Sequence, residues 1–191
     1  LCDWNRVQFP VAITAVDNAL RSDLFLRILG IDPGLTSTGY GLIDVADRGF
    51  QAVEGGGVRT KSTEPMEQRL FRIYKVIRDV IEEFKPEAVA VEDLHSRFAK
   101  TALLLGHARG VVVMAAGEAE IPVFNYQPPR AKNLVTGSGR ADKEQMKQAI
   151  AAHLGTPDAA KNEHVADAFS IAIAHAIMAG SSALEAIEAA K

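Results

Sequence analysis

Three carboxylates in this sequence stand where chain geometry gives them chemical use. Asp32 follows the apolar run Leu26 to Ile31, Glu92 follows Glu87 to Val91, and Asp167 comes three residues after His164 at the start of an apolar helical pattern. Residues i and i+3 share a helix face, so His164 and Asp167 point the same way. Apposed carboxylates repel one another, and a cluster of them is tolerated when a hard cation neutralises it. A set of Asp, Glu, His and Asp ligands could hold two divalent ions roughly 3.5–4 Å apart, the arrangement used to cleave phosphodiesters. Taken singly, each residue has an ordinary reading. Asp32-Pro33-Gly34 is turn chemistry, Glu92-Asp93 is a solvated strand end, and His164 with Asp167 suits a first helical turn. Their shared placement at one rim favours the metal site.

The elements that must position them can be read from periodicity. Leu26 to Ile31 is a strand that stops at Pro33-Gly34, because Pro cannot continue a ladder and Gly permits the turn. Residues 38–45 and 50–58 read as two further strands with short links, an antiparallel meander. Pro65 opens a helix whose apolar stripe runs through Met66, Leu70, Ile73, Ile77, Val80 and Phe84, and Pro86 stops it. Residues 87–91 form a buried strand, and 97–119 a helix apolar on nearly every side, which a sheet alone does not cover. A fifth strand is expected at 121–124, then helices near 129–135, 141–153 and 163–178. The expected fold is α/β: a five-stranded mixed sheet with helices on both faces and helical crossovers between the later strands. If the first and fourth strands are neighbours, Asp32 and Glu92 share one sheet edge.

Length and composition set the class. The chain has 191 residues, 48% hydrophobic and 24% charged, which fits one globular domain and excludes whole-chain disorder, collagen and coiled coil. Its single cysteine, Cys2, excludes an internal disulfide framework and points to a reducing cytoplasm. The apolar stretches 110–117 and 171–178 fall short of the ~20 residues of a membrane span. Residues 1–25 read as an extension outside the core, with a short helix near 12–20; residues 26–179 form the domain, and the Ala-rich 180–191 is a tail expected to fray.

Several motifs together resemble a known family. Gly30-Ile31-Asp32-Pro33-Gly34, Thr38-Gly39-Tyr40-Gly41, Val91-Glu92, Gly106-His107-Ala108-Arg109-Gly110 and Asp167-Ala168 look like the RuvC family of crossover junction endodeoxyribonucleases, from about Leu26 to Met178. The resemblance implies an RNase H-like fold, a homodimer, and Mg²⁺-dependent symmetric nicking of four-way (Holliday) DNA junctions, with two ions per active site and Mn²⁺ able to substitute. The resemblance places the family's catalytic carboxylates on Asp32, Glu92 and Asp167, and its fourth position on His164, where the most familiar members have Asp and others have His. Two family lysines near the scissile phosphate match Lys132 and Lys143. An aromatic that stacks at the junction centre matches either His95 or Phe98. Junction-binding and branch-migration helicase proteins of the RuvA and RuvB type are the implied partners.

Charge distribution points independently to DNA. Between Leu94 and Ala141 the basic residues are Arg97, Lys100, Arg109, Arg130, Lys132 and Arg140, against the acids Glu118 and Glu120. Such a stretch would neutralise phosphates and make affinity salt-dependent, so His95, Arg97, Phe98, Lys100, Arg130, Lys132, Arg140 and Lys143 are the expected DNA contacts. Arg109 sits in an apolar helix and could instead satisfy a buried acceptor. The over-apolar helix 97–119 is the candidate for a two-fold interface. Two rival readings are an actin-like or sugar-kinase-like ATPase, which needs a second phosphate loop not visible here, and a non-catalytic junction-binding dimer.

Overall fold

The structure is a computed structural model that describes residues 4–8, 26–46, 49–93 and 98–189. Its sheet is built from β1 (Trp4–Gln8), β2 (Leu26–Asp32), β3 (Ser37–Ala46), β4 (Gly49–Arg59), β5 (Ala88–Glu92) and β6 (Val123–Tyr126), in the spatial order β1-β4-β3-β2-β5-β6. Strands β1 to β4 pair antiparallel, whereas β2–β5 and β5–β6 are parallel. Helices α1 (Met66–Phe84), α2 (Ala99–Glu118), α3 (Pro128–Thr136), α4 (Lys143–Leu154) and α5 (Glu163–Ala189) cover its faces.

Alternation along each strand divides the core in two. Ile28, Ile43, Ala88 and Ala90 face Phe169, Ile173 and the helices α3 to α5, while Leu29, Ile31, Leu42, Val89 and Val91 face Ile73, Ile77, Val80 and Val112 of α1 and α2. A central strand buried on both sides reads as a nearly continuous apolar run, which is how β2 and β5 look in the sequence. On β2 and β3, Arg27 donates from Nε and Nη2 to both oxygens of its cross-strand partner Asp44, at 2.7 and 2.8 Å, and so fixes the register of this pair.

The five expected strands are all present, and Trp4–Gln8 adds a sixth on the outer edge of β4, so the first 25 residues are not wholly apart from the sheet. The helix expected near 12–20 lies outside the described residues. The last expected strand, 121–124, is displaced to Val123–Tyr126, because Ile121 N–H donates back to Ala116 O and closes the end of α2. The tail expected to fray is instead helical: α5 continues to Ala189, consistent with the helix propensity of its Ala and Glu residues.

Helix α2 buries Ala108, Val112, Ala115 and Ala116, and leaves Leu103 and Met114 63% and 55% exposed. Contrary to the expectation drawn from its shorter apolar stretches, its 20 residues pass the length and composition test for a membrane span. Its packing on α1, in one core cluster with Leu29, Val89 and Val91 of the sheet, accounts for the inner face; the outer apolar face is a property of the surface.

Candidate active site

Two parallel strands put the first two carboxylates side by side. In the β2–β5 pairing Ile31 stands opposite Val91, so Asp32 and Glu92 are the next residues on adjacent strands, at one sheet edge. Beyond Asp32 the chain turns at Pro33-Gly34, where the Thr38 hydroxyl donates to Gly34 O at 2.7 Å and holds the turn closed.

The other two ligand candidates come from α5, and glycines decide how near it lies. A Cβ on Gly30 would stand 2.1 Å from Ala168 O, one on Gly39 2.0 Å from His164 O, and one on Gly41 2.7 Å from the Phe169 ring. The backbone of α5 thus rests directly on β2 and β3, an approach that any larger residue would prevent. Asn162 caps this helix, its Oδ1 accepting from His164 N at 3.1 Å. His164 then reaches Asp32, with Nδ1 2.9 Å from Oδ2, and their side chains are 45% and 15% exposed.

The electrostatics are those of an acidic cluster short of positive charge. Glu92 is pushed up to about 8, first by burial and then by the charge of Asp32, with which it shares a hydrogen bond. Asp167 is pushed up to about 6, again first by burial and then by Asp32. His164 is raised by its hydrogen bond to Asp32, against the opposing effect of burial. In their present rotamers no group of three or more His, Cys, Asp or Glu side chains among the described residues is arranged around one point that could hold a metal ion. The donor chemistry nevertheless fits a divalent cation: hard oxygens with one imidazole, partly buried, two of the carboxyls pushed up for want of counter-charge.

Two of the expected lysines are at the same place. The ammonium of half-buried Lys132 on α3 bears on both Glu92 and Asp167, and its Nζ lies 3.5 Å from Ala141 O. Lys143, first residue of α4, pairs with Glu163 at 2.5 Å and feels Asp167. The remaining expected DNA contacts are more dispersed. Phe98 precedes α2 and is 74% exposed, and Lys100 is exposed in that helix's first turn. Arg130 is exposed on α3, where its charge acts on Tyr126 and its Nη2 lies 3.5 Å from Met178 Sδ; Arg140 is exposed in the turn before α4. None of these three cations is among the leading influences on Glu92 or Asp167. His95 and Arg97 lie outside the described residues. Arg109 donates from Nη2 to Asn125 Oδ1 at 2.5 Å, an exposed amide rather than the buried acceptor expected for it.

Sequence reasoning missed Asn162 and Glu163. Their signal was present: an Asn two residues before His164 is a strong helix cap, and an acid in the next position is common in a first turn.

The domain that carries these carboxylates is similar, over most of its length, to known proteins. The family model described as "Crossover junction endodeoxyribonuclease RuvC" matches residues 28–175. The chain belongs to the RuvC family. Among curated relatives, a crossover junction endodeoxyribonuclease RuvC of Desulfitobacterium hafniense is 44% identical over 152 residues, covering 79% of this chain and 92% of that protein. The RuvC of Geobacter sp. strain M21 is 42% identical over 158 residues, covering 82% and 96%. Among solved structures, T. thermophilus RuvC in complex with a Holliday junction substrate is similar at a TM-score of 0.78 and 36% identity, covering 82% of this chain and 96% of that one. The fold class expected from the sequence is therefore the observed one.

Proposed function

We propose that this RuvC-family chain is a structure-selective endonuclease that resolves four-way DNA junctions in the cytoplasm by paired, symmetric nicks, each leaving a 5′-phosphate and a 3′-hydroxyl. The observation that carries the reading is the convergence of Asp32, Glu92, His164 and Asp167 on one sheet edge. Family membership, and a relative solved with a Holliday junction substrate, support it.

The four side chains fit two divalent ions, Mg²⁺ with Mn²⁺ able to substitute, which when bound would supply an acidified water for attack on phosphorus and charge stabilisation at the leaving 3′ oxygen. Asp32, with one oxygen engaged by His164 and Glu92 beside it, would hold the ions together with Glu92, His164 and Asp167. His164, now hydrogen-bonded to Asp32, would contribute its imidazole to the same ligand set. Lys132 faces the carboxylates from α3 and is placed to hold a non-bridging phosphate oxygen and offset developing charge. Lys143 can do the same after exchanging Glu163 for phosphate.

Symmetric cleavage needs two sites related by a two-fold axis. The outer face of α2, with Leu103 and Met114 exposed, supplies a surface for a homodimer. Phe98, at the start of that helix, is positioned for stacking on an unpaired base, with His95 the alternative. Helicase proteins of the RuvA and RuvB type are the proposed further partners.

The test is incubation with a synthetic four-way junction and a sequence-matched linear duplex, with Mg²⁺ and with chelator. The expected result is Mg²⁺-dependent nicking of the junction alone, abolished in Asp32→Asn with junction binding retained. Chelator-resistant cleavage, or wild-type nicking by Asp32→Asn, would overturn the mechanism; junction binding with no cleavage in any metal would favour a non-catalytic binder.

A further inference from the structure

Beside the carboxylates, on the side away from Lys132, a cavity of about 570 Å³ opens among Ser37, Gly57, Arg59, Lys61, Arg72 and His164. Among the described residues no carboxylate lines it. Neither Arg59 nor Lys61 is ion-paired to a described residue, whereas Arg72 is held in the wall by Glu64 at 3.1 Å. The wall itself is rigid. Buried Arg69 donates from Nε to the Thr60 hydroxyl at 2.9 Å, and that hydroxyl donates to Leu35 O at 2.6 Å.

The floor of the cavity is a glycine with no packing reason to be one. β4 carries Gly55, Gly56 and Gly57 in succession. A Cβ on Gly55 would come within 2.9 Å of the Phe169 ring, and one on Gly56 within 2.5 Å of the Tyr40 hydroxyl. At Gly57 it would meet only Thr38 O at 3.5 Å, an ordinary contact, and its backbone is extended strand. Residues 55 and 57 share a sheet face, and Gly57 pairs with Gly39, whose own face is occupied by His164. A side chain at 57 would therefore project into the cavity, in the place where α5 begins.

Register sets the distance from the chemistry. Asp32 stands opposite Gly39 and Gly39 opposite Gly57, so Gly57 is two strand spacings, about 9–10 Å, from Asp32 along the same edge. Across the sheet the edge thus presents Gly57 and Arg59 on β4, with Lys61 just beyond, then Gly39 on β3, then Asp32 and Glu92 on β2 and β5, while Lys132 approaches the carboxylates from α3.

We infer that this cavity seats a backbone phosphate of the cleaved DNA strand, next to the scissile one on the β4 side, with Arg59 and Lys61 neutralising it and the bare backbone of Gly57 admitting it. The inference rests on the reading of the chain as a junction nuclease and extends the contact surface to a flank that the basic stretch 94–141 does not include. Arg59 presents a planar fork suited to phosphate oxygens, Lys61 a mobile point charge, and the Ser37 hydroxyl a neutral donor. With Lys132 on the other flank, the strand is held on both sides of the reacting phosphate, which is what in-line attack requires.

The test is affinity of the full chain for a four-way junction by fluorescence anisotropy, in chelator so that no cleavage intervenes, over a series of salt concentrations. Gly57→Val fills the cavity without changing charge. Arg59→Ala with Lys61→Ala removes the charge without filling it, and Lys75→Ala, exposed on α1, controls for bulk charge. Expected are an affinity loss of about tenfold for both cavity variants, and a fall of about one to two in the salt slope for the double variant only. Thermal midpoints report folding; should valine destabilise β4, the double variant alone decides. Wild-type affinity and slope in the double variant, or a loss no greater than that of Lys75→Ala, would overturn the inference. If the wild-type chain itself shows no preference for the junction, it is the function reading that fails, not the cavity.

Discussion

Glu92 and Asp32 sit at neighbouring strand ends with too little positive charge around them, and the metal-free protein resolves the conflict with a proton. Glu92 is raised to about 8 in the folded chain, against an ordinary 4.5. The folded state thus binds the proton more tightly than the unfolded state does. This contribution to stability is complete below about pH 4.5 and is lost as pH rises through 8. In chelator the thermal midpoint should therefore fall from pH 5 to pH 8.5 by an amount corresponding to a few kcal/mol, and Glu92→Gln should flatten that fall; an equal slope in both proteins would remove Glu92 as its source. His164 gives a second prediction. It is raised by Asp32, and its imidazole suits Mn²⁺ better than an all-carboxylate site does. Single-turnover cleavage should fall at least about a hundredfold in His164→Ala, and His164→Asp should retain activity with a lower Mn²⁺ to Mg²⁺ rate ratio. An unchanged ratio would show that His164 does not ligate. At this scale the sequence was informative: Asp32 and Glu92 end apolar runs, and His164 and Asp167 are one helical turn apart. Arg59, Lys61 and Gly57 were not legible as a group, because their cavity is assembled from a turn, a strand end and a helix start more than a hundred residues apart.

Between residue and fold stands the contact of α5 with β2 and β3, which converts glycine spacing into active-site geometry. Gly30, Gly39 and Gly41 lie on the face that receives Ala168, His164 and Phe169. Gly39→Ala would drive a methyl group onto the carbonyl of His164, now 2.0 Å from the Cβ position, and the first turn of the helix must move. A displacement of about 1 Å in ligand position is enough to cost on the order of a hundredfold in rate. The expected result is a cleavage rate reduced by at least that factor, with junction affinity in chelator within about threefold of wild type; proportionate loss of both would mean that the fold, not the alignment, had failed. Element order and type were legible from periodicity because β2, β5 and α1 have unbroken apolar patterns. The strand β1 was not. Trp4–Gln8 is a short edge strand with no alternating stretch around it, and its pairing with β4 depends on a partner fifty residues away. The extension of α5 past residue 178 was missed for the opposite reason, since Ala-rich sequence fits both a frayed tail and a helix.

Paired cleavage of a junction takes two cuts, and among the described residues the chain has one such carboxylate cluster. The apolar character of α2 on all sides was visible in the sequence, but which side it hides was not, since that depends on α1 and the sheet packing beneath Ala108, Val112, Ala115 and Ala116. The structure leaves Leu103 and Met114 outside, eleven residues apart and so about three helical turns along one face. If the proposed paired cleavage holds, an exposed apolar stripe is best covered by a second copy of the chain, since an isologous contact places the same stripe on both subunits. Charge at its centre should break that contact, because two copies of a buried unpaired carboxylate face each other across the axis. Leu103→Glu and Met114→Glu are therefore expected to shift the protein from dimer to monomer in analytical ultracentrifugation. The side chains are exposed within one chain, so the thermal midpoint of the dilute monomer should not fall. Cleavage then separates the two roles of the dimer. On a supercoiled plasmid bearing an extruded cruciform, paired nicks within one binding event give linear product directly, whereas independent nicks give nicked circles first. The variants should convert substrate to nicked circle with little linear product at early times. A fully dimeric Leu103→Glu, or a monomeric variant that still yields linear product at the wild-type ratio, would show that the two-fold axis lies elsewhere or that paired cleavage does not depend on it.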